Sequence, residues 1–91
     1  MALFETGRWV FTPGALEKVF HADMIFAVRR HRDGDWGEAI NDDPHDKALN
    51  DACLKHGGRL FSCYTDCRGT KFYIITEADR SVTTILLPDE Y

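Results

Sequence analysis

The sequence predicts an α+β domain: a C-terminal three-stranded antiparallel β-meander, with a short N-terminal strand as a further element, packed by two or three helices in a two-layer sandwich. Two observations predict it. Leu60 to Thr65, Thr70 to Thr76 and Ser81 to Leu87 are rich in β-branched and aromatic residues and are separated by polar clusters, the composition of strands set off by turns. The helical periodicity lies upstream of these strands instead of alternating with them, which argues against a doubly wound parallel sheet.

Each element has its own warrant. Arg8 to Phe11 alternates Trp9 and Phe11 with Arg8 and Val10, a short strand. Thr12 is a natural N-cap and Pro13 suits the first helical position, which needs no amide donor. Leu16, Val19 and Phe20 then share a face. A second helical piece spans about Asp23 to His31, with Met24, Ile25, Ala27 and Val28 as its buried stripe and Asp23 as a cap. No strong breaker separates the two pieces. Arg29-Arg30-His31-Arg32 ends this region, where cations meet the negative end of the helix dipole; Arg29, Arg30 and Arg32 are alternatively an anion or acidic-partner contact.

Gly34 and Gly37 bracket Trp36 and permit unusual backbone angles, so Trp36 either folds back as a plug or stands out as a binding anchor, with Asp35 and Glu38 beside it. Asp43 before Pro44 starts a further helix, with Asp46 in its first turn. It runs to about His56, turning Ala48, Leu49, Ala52 and Cys53 inward and Lys47, Asn50, Asp51 and Lys55 outward. Gly57-Gly58 ends it by a left-handed cap. Asp66 to Gly69 and Glu77 to Arg80 supply the two strand reversals.

Ninety-one residues suffice for a single domain with one modest core. Fifteen acidic residues against eleven basic ones give a net charge of −4, which disfavours, without excluding, a nucleic-acid partner, since phosphate contact draws on Lys and Arg. The N-terminal residues lack a basic and an apolar signal region, and no apolar run nears the ~20 residues that span a bilayer. A cytoplasmic protein without membrane contact is expected. Three cysteines fit free thiols in a reducing compartment.

Cys53, His56, Cys63 and Cys67 invite a zinc reading, but paired C-x2-C knuckles are missing, so no metal and no cofactor is expected. His21, His31, His45 and His56 form no ligand spacing and read as surface or capping residues. Glu77, Asp79 and Arg80 put two carboxylates and a guanidinium on one reversal. They are weak catalytic candidates, able to hold a divalent cation and an anionic substrate, against the simpler alternative of a turn closed by Asp79. Thr83 and Thr84 read as strand-propensity choices. Neither a phosphate-binding glycine loop nor a nucleophile elbow is present.

Trp9 to Leu16, Gly34 to Glu38 and above all Ile75 to Tyr91 resemble a family of small uncharacterised bacterial proteins carried largely on plasmids and other mobile elements. Some of those relatives bear a label linking them to the modification subunit of a type I restriction system. The residues do not support that label: Asp43-Pro44 is followed by His45, not by the Pro-Tyr or Pro-Phe of an adenine methyltransferase. Two functions remain open. One is a non-enzymatic interaction module of a mobile element, in host defence or counter-defence, acting on a protein partner. The other is a small metal-dependent nucleic-acid-processing enzyme or restriction-system accessory factor, with Glu77, Asp79 and Arg80 gathered beside Asp35 and Glu38. A homodimer is also expected, with Ile85 and Leu87 of the last strand left for a partner copy.

Overall fold

The computed structural model describes residues 2–91. Its elements run β1 (Arg8–Phe11), α1 (Pro13–Lys18), α2 (His21–Arg32), α3 (Glu38–Asn41), α4 (Pro44–His56), β2 (Leu60–Thr65), β3 (Lys71–Thr76), β4 (Val82–Leu86) and a closing 3-10 turn at Pro88–Glu90. The α+β class holds, and β2, β3 and β4 form the meander. The sheet is nevertheless mixed and four-stranded among the described residues: β1 adds to β4 in parallel, giving the order β1-β4-β3-β2. Consecutive-strand reasoning could not reach that pairing, because β1 and β4 lie at opposite ends of the chain.

Strand alternation divides the sheet into two faces. Tyr64, Phe72, Ile74 and Ile85, with Trp9 and Phe11 of β1, pack against Ala15, Val19, Met24, Ala27 and Val28 of the first helices, while Leu60 packs with Trp36 and Ile40. Ile85 and Leu87 are buried in this core, so the surplus that motivated a dimer through them does not exist. The opposite face carries Phe61, Tyr73, Ile75 and Leu86. Tyr91 folds back onto it, its ring 6.1 Å from Phe61 and 6.2 Å from Tyr73.

The helix caps follow the local chemistry. Thr12 accepts from the Ala15 amide, and Asp43 from those of His45 and Asp46. Gly57 ends α4 at φ 92° and ψ 151°, a glycine conformation other than the left-handed helical one expected. α1 and α2 do not fuse. Val19 and Phe20 are extended because the Phe20 amide donates to Asp66 Oδ2, 2.9 Å away in the β2–β3 turn. Asp23 likewise caps no helix; it accepts from the Cys67 amide at 2.7 Å. Two carboxylates thus tie the first helices to a turn more than forty residues away.

Asp66 is the stronger tie. It is buried, and Arg68 and Thr70 also donate their amides to it, at 2.9 and 2.8 Å. Burial opposes its ionisation, but the Phe20, Thr70 and Arg68 amides outweigh it and hold the carboxyl below the usual aspartate range. Asp66→Ala removes three amide hydrogen bonds to a carboxylate, and since each such bond contributes about 1 kcal/mol net, an overall loss of about 3 kcal/mol is expected in urea denaturation. A loss comparable to an exposed Asp89→Ala control would contradict this role.

The inward face of α4 differs from expectation. Leu49 is 57% exposed and Asn50 is 6% exposed, with Ala48 and Ala52 also outward. The helix faces the edge of β2, where an amide serves better than an alkyl chain. Asn50 Nδ2 donates to the Phe61 carbonyl at 2.5 Å and Asn50 Oδ1 accepts from the Phe61 amide at 3.1 Å. The next outward donor, Cys63 N–H, meets the Trp36 carbonyl at 3.1 Å. That edge is closed.

Candidate functional site

On α2, Met24, Val28 and His31 recur at i, i+4 and i+7, which stacks them on one stripe. His31 is therefore fully buried with Met24 and Val28, not the surface or capping residue its type suggested. Its Nδ1 meets Ser62 Oγ and its Nε2 lies 2.8 Å from Thr76 Oγ1. Thr76 Oγ1 is 2.7 Å from Thr83 Oγ1, which donates to the Thr6 carbonyl at 2.6 Å.

The direction of every proton in this chain follows from its last link. Thr83 spends its single hydroxyl proton on the Thr6 carbonyl, so it accepts from Thr76; Thr76 then accepts from His31 Nε2–H, and Nδ1 accepts from the Ser62 hydroxyl. His31 is neutral, with the proton on Nε2. Burial, reinforced by the positive charge of Arg80, lowers its pKa to about 3. The hydroxyl–imidazole pairing resembles a nucleophile and its base, but Ser62, His31, Thr76 and Thr83 are all 0% exposed. No substrate reaches the pair in this conformation, and its work is to satisfy buried polar groups. Strand alternation carried a signal for it: Ser62, Thr76 and Thr83 occupy inward positions among apolar neighbours.

Trp36 is the plug, not the anchor. It is 0% exposed, stacked on Phe4 at 6.2 Å and edge-on to His31 at 5.5 Å, with Nε1 donating to Asp51 at 3.1 Å. Gly37, at φ 88°, makes the burial feasible: a Cβ there would lie 1.8 Å from the Cys63 carbonyl oxygen.

Of the residues expected at a binding surface, Arg30, Asp35 and Glu38 do come together. Arg30 Nε and Nη2 donate to both Asp35 oxygens at 2.8 and 3.2 Å, and Nη2 also reaches Glu38 at 2.9 Å. Its guanidinium lies 5.0 Å from the Tyr64 ring centre, while the Tyr64 hydroxyl donates to the Asp35 carbonyl. Each carboxyl is held below its usual range chiefly by Arg30. The cation is already committed to two anions and a ring. Arg32 is half-buried, its Nε without a hydrogen-bond partner among the described residues, and Arg29 stands exposed on another face.

Glu77, Asp79 and Arg80 share a turn but not a site. Glu77 pairs with Arg59 at 3.2 Å, and Asp79 accepts from the Ser81 amide at 3.0 Å. Arg80 donates to the carbonyls of Gly58, Glu77 and Cys53 at 2.5, 3.1 and 3.1 Å. It brackets the end of α4 from a left-handed backbone conformation, φ 62°. Cys53 is half-buried, Cys63 buried and Cys67 exposed, and among the described residues no three His, Cys, Asp or Glu side chains gather around a shared point.

The accessible feature is the outer face of α2. Ala22, Ile25, Phe26 and Arg29 fall on one side at i, i+3, i+4 and i+7. Ile25 is 38% and Phe26 61% exposed, although the residues of Ile25 had suggested burial. Just before them Leu16 and Phe20 are 48% and 46% exposed and line a depression of about 320 Å³ with Val19, His21 and Arg68. The Arg68 guanidinium covers the Phe20 ring at 5.8 Å. No protein-family model, curated protein or solved structure matches the chain. No helix of the described residues is long and apolar enough to cross a membrane.

Proposed function

We propose that this chain is a small protein-interaction module whose contact surface is the outer face of α2. One observation carries the reading: α2 buries Met24, Ala27, Val28 and His31 on one side and still presents Ile25 and Phe26 to solvent on the other. A helix that served only the core would present polar residues there. Cations border the apolar stripe, Arg29 at its end and Arg68 with Lys18 near its start, so the complementary partner is a protein surface with apolar residues flanked by carboxylates. The mobile-element context, in defence or counter-defence, rests on the resemblance of Trp9 to Leu16, Gly34 to Glu38 and Ile75 to Tyr91. Against the metal-dependent alternative stands the commitment of Glu77, Asp79 and Arg80 to separate structural partners.

The test places a photoreactive phenylalanine analogue at position 26 in the living host. A discrete adduct with another protein is expected, absent when the analogue replaces Lys55 and at least several-fold weaker after Arg29→Glu. No adduct, or the same adduct from both positions, would refute the reading.

A further inference from the structure

The two edges of the sheet are treated differently. Asn50 and Trp36 close β2, whereas β1 keeps its outer edge open. In the parallel pairing of β1 with β4, Arg8 and Thr12 donate inward to Ser81 and Ile85, so the N–H and C=O groups of Trp9 and Phe11 point away from the sheet. Neither amide has a partner among the described residues. Proline is absent from the strand itself, and Val10 is 38% exposed.

We propose that β1 pairs with β1 of a second copy, antiparallel and centred on Val10, to give one continuous eight-stranded sheet. The register follows from the outward groups. In an antiparallel ladder the residues that exchange both hydrogen bonds stand opposite each other, so Trp9 faces either Trp9, Phe11 or Pro13 of the second copy. A Trp9-centred register would need Gly7, which leaves the extended region at φ 64°. A Phe11-centred one would set Trp9 against Pro13, which has no amide hydrogen. Only the Val10-centred register uses all four outward donors and acceptors of each strand, and, as in any antiparallel pairing, the opposed side chains and hence both helical layers stay on the same side.

The side chains agree with that register. Trp9, half-buried in the monomer, falls opposite the half-buried Phe11 of the second copy, an aromatic cross-strand pair. Arg8 falls opposite Thr12, whose hydroxyl donates to Glu90 at 2.6 Å. The interface therefore sets the exposed Arg8 guanidinium of each copy beside the Glu90 carboxylate of the other, twice over by symmetry. No like charges meet at the centre.

This pairing is independent of the α2 surface, and sedimentation equilibrium at high micromolar concentration tests it. The wild type and Phe26→Glu are both expected to sediment as dimers, and Val10→Lys, which sets two ammonium groups face to face at the centre, as a monomer with unchanged far-ultraviolet circular dichroism. Independently of that variant, Val10→Cys in a Cys67→Ser background is expected to form a disulfide dimer on mild oxidation, because directly opposed residues in a non-hydrogen-bonded pair sit within disulfide reach. Arg8→Cys should cross-link at least several-fold less. A monomeric wild type, a dimer indifferent to Val10→Lys, or equal cross-linking from Arg8→Cys would overturn the proposal.

Discussion

Trp36→Ala is expected to destabilise the fold by about 4 kcal/mol, the cost of deleting a large, fully buried aromatic side chain that its surroundings cannot replace. Trp36 is the largest of the fully buried side chains, and its removal separates Phe4, His31 and Leu60 and strips Asp51 of the Nε1 donor. Trp36→Phe, which keeps the stack on Phe4, is expected to cost less than half as much. Urea denaturation of both variants measures this, and a loss below about 1 kcal/mol for the alanine variant would mean that the indole is not a core residue. The same result bears on function. A tryptophan spent on holding α3 against β2 is not available as a recognition residue, and the proposed contact surface does not use it.

The second large effect is on pH dependence. His31 titrates at about 3 in the fold, against an ordinary histidine value of 6.5. The unfolded chain therefore binds a proton at His31 that the folded chain refuses. Stability from this residue is complete above pH 6.5 and is lost as pH falls from there towards 3. Linkage gives a loss of about 2 kcal/mol on going from pH 6.5 down to roughly pH 5, before most carboxylates begin to protonate. His31→Gln keeps one donor and one acceptor for Thr76 and Ser62 but cannot titrate. It is expected to be less stable at neutral pH and to show a flatter profile across that window. Denaturation curves at several pH values decide the matter: equal slopes for wild type and variant would show that His31 is not buried in its neutral form.

Much of the local architecture was legible because local chemistry dictates it. Thr12 and Asp43 cap the helices their following prolines announce. β2, β3 and β4 match their composition to within a residue or two at each end. Gly34 and Gly37 take the positive φ angles that a folded-back Trp36 requires. The errors arose where a distant partner decides. Nothing near Phe20 says that Asp66 will take its amide and split the helix. Periodicity placed Leu49 inward because it is apolar, yet the neighbour of α4 is a strand edge that requires the Asn50 amide.

The candidate site was less legible still. Arg30 converges with Asp35 and Glu38, residues expected at separate places, and is consumed by them, while Glu77, Asp79 and Arg80 each have a different structural partner. Ile25 read as core, although it is 38% exposed, because type and period cannot say on which side of a helix the core lies when both sides are apolar.

Taken alone, the order of residues was enough to specify an α+β class, the meander and the starts of α1 and α4, since caps, turns and strand propensity act over a few neighbours. Which face of each helix is buried, where β1 joins the sheet, how His31 is protonated and which edge stays open were settled only by the folded chain. Those properties are set by groups far apart in sequence, whose hydrogen-bond demands can be met only once the layers are in contact.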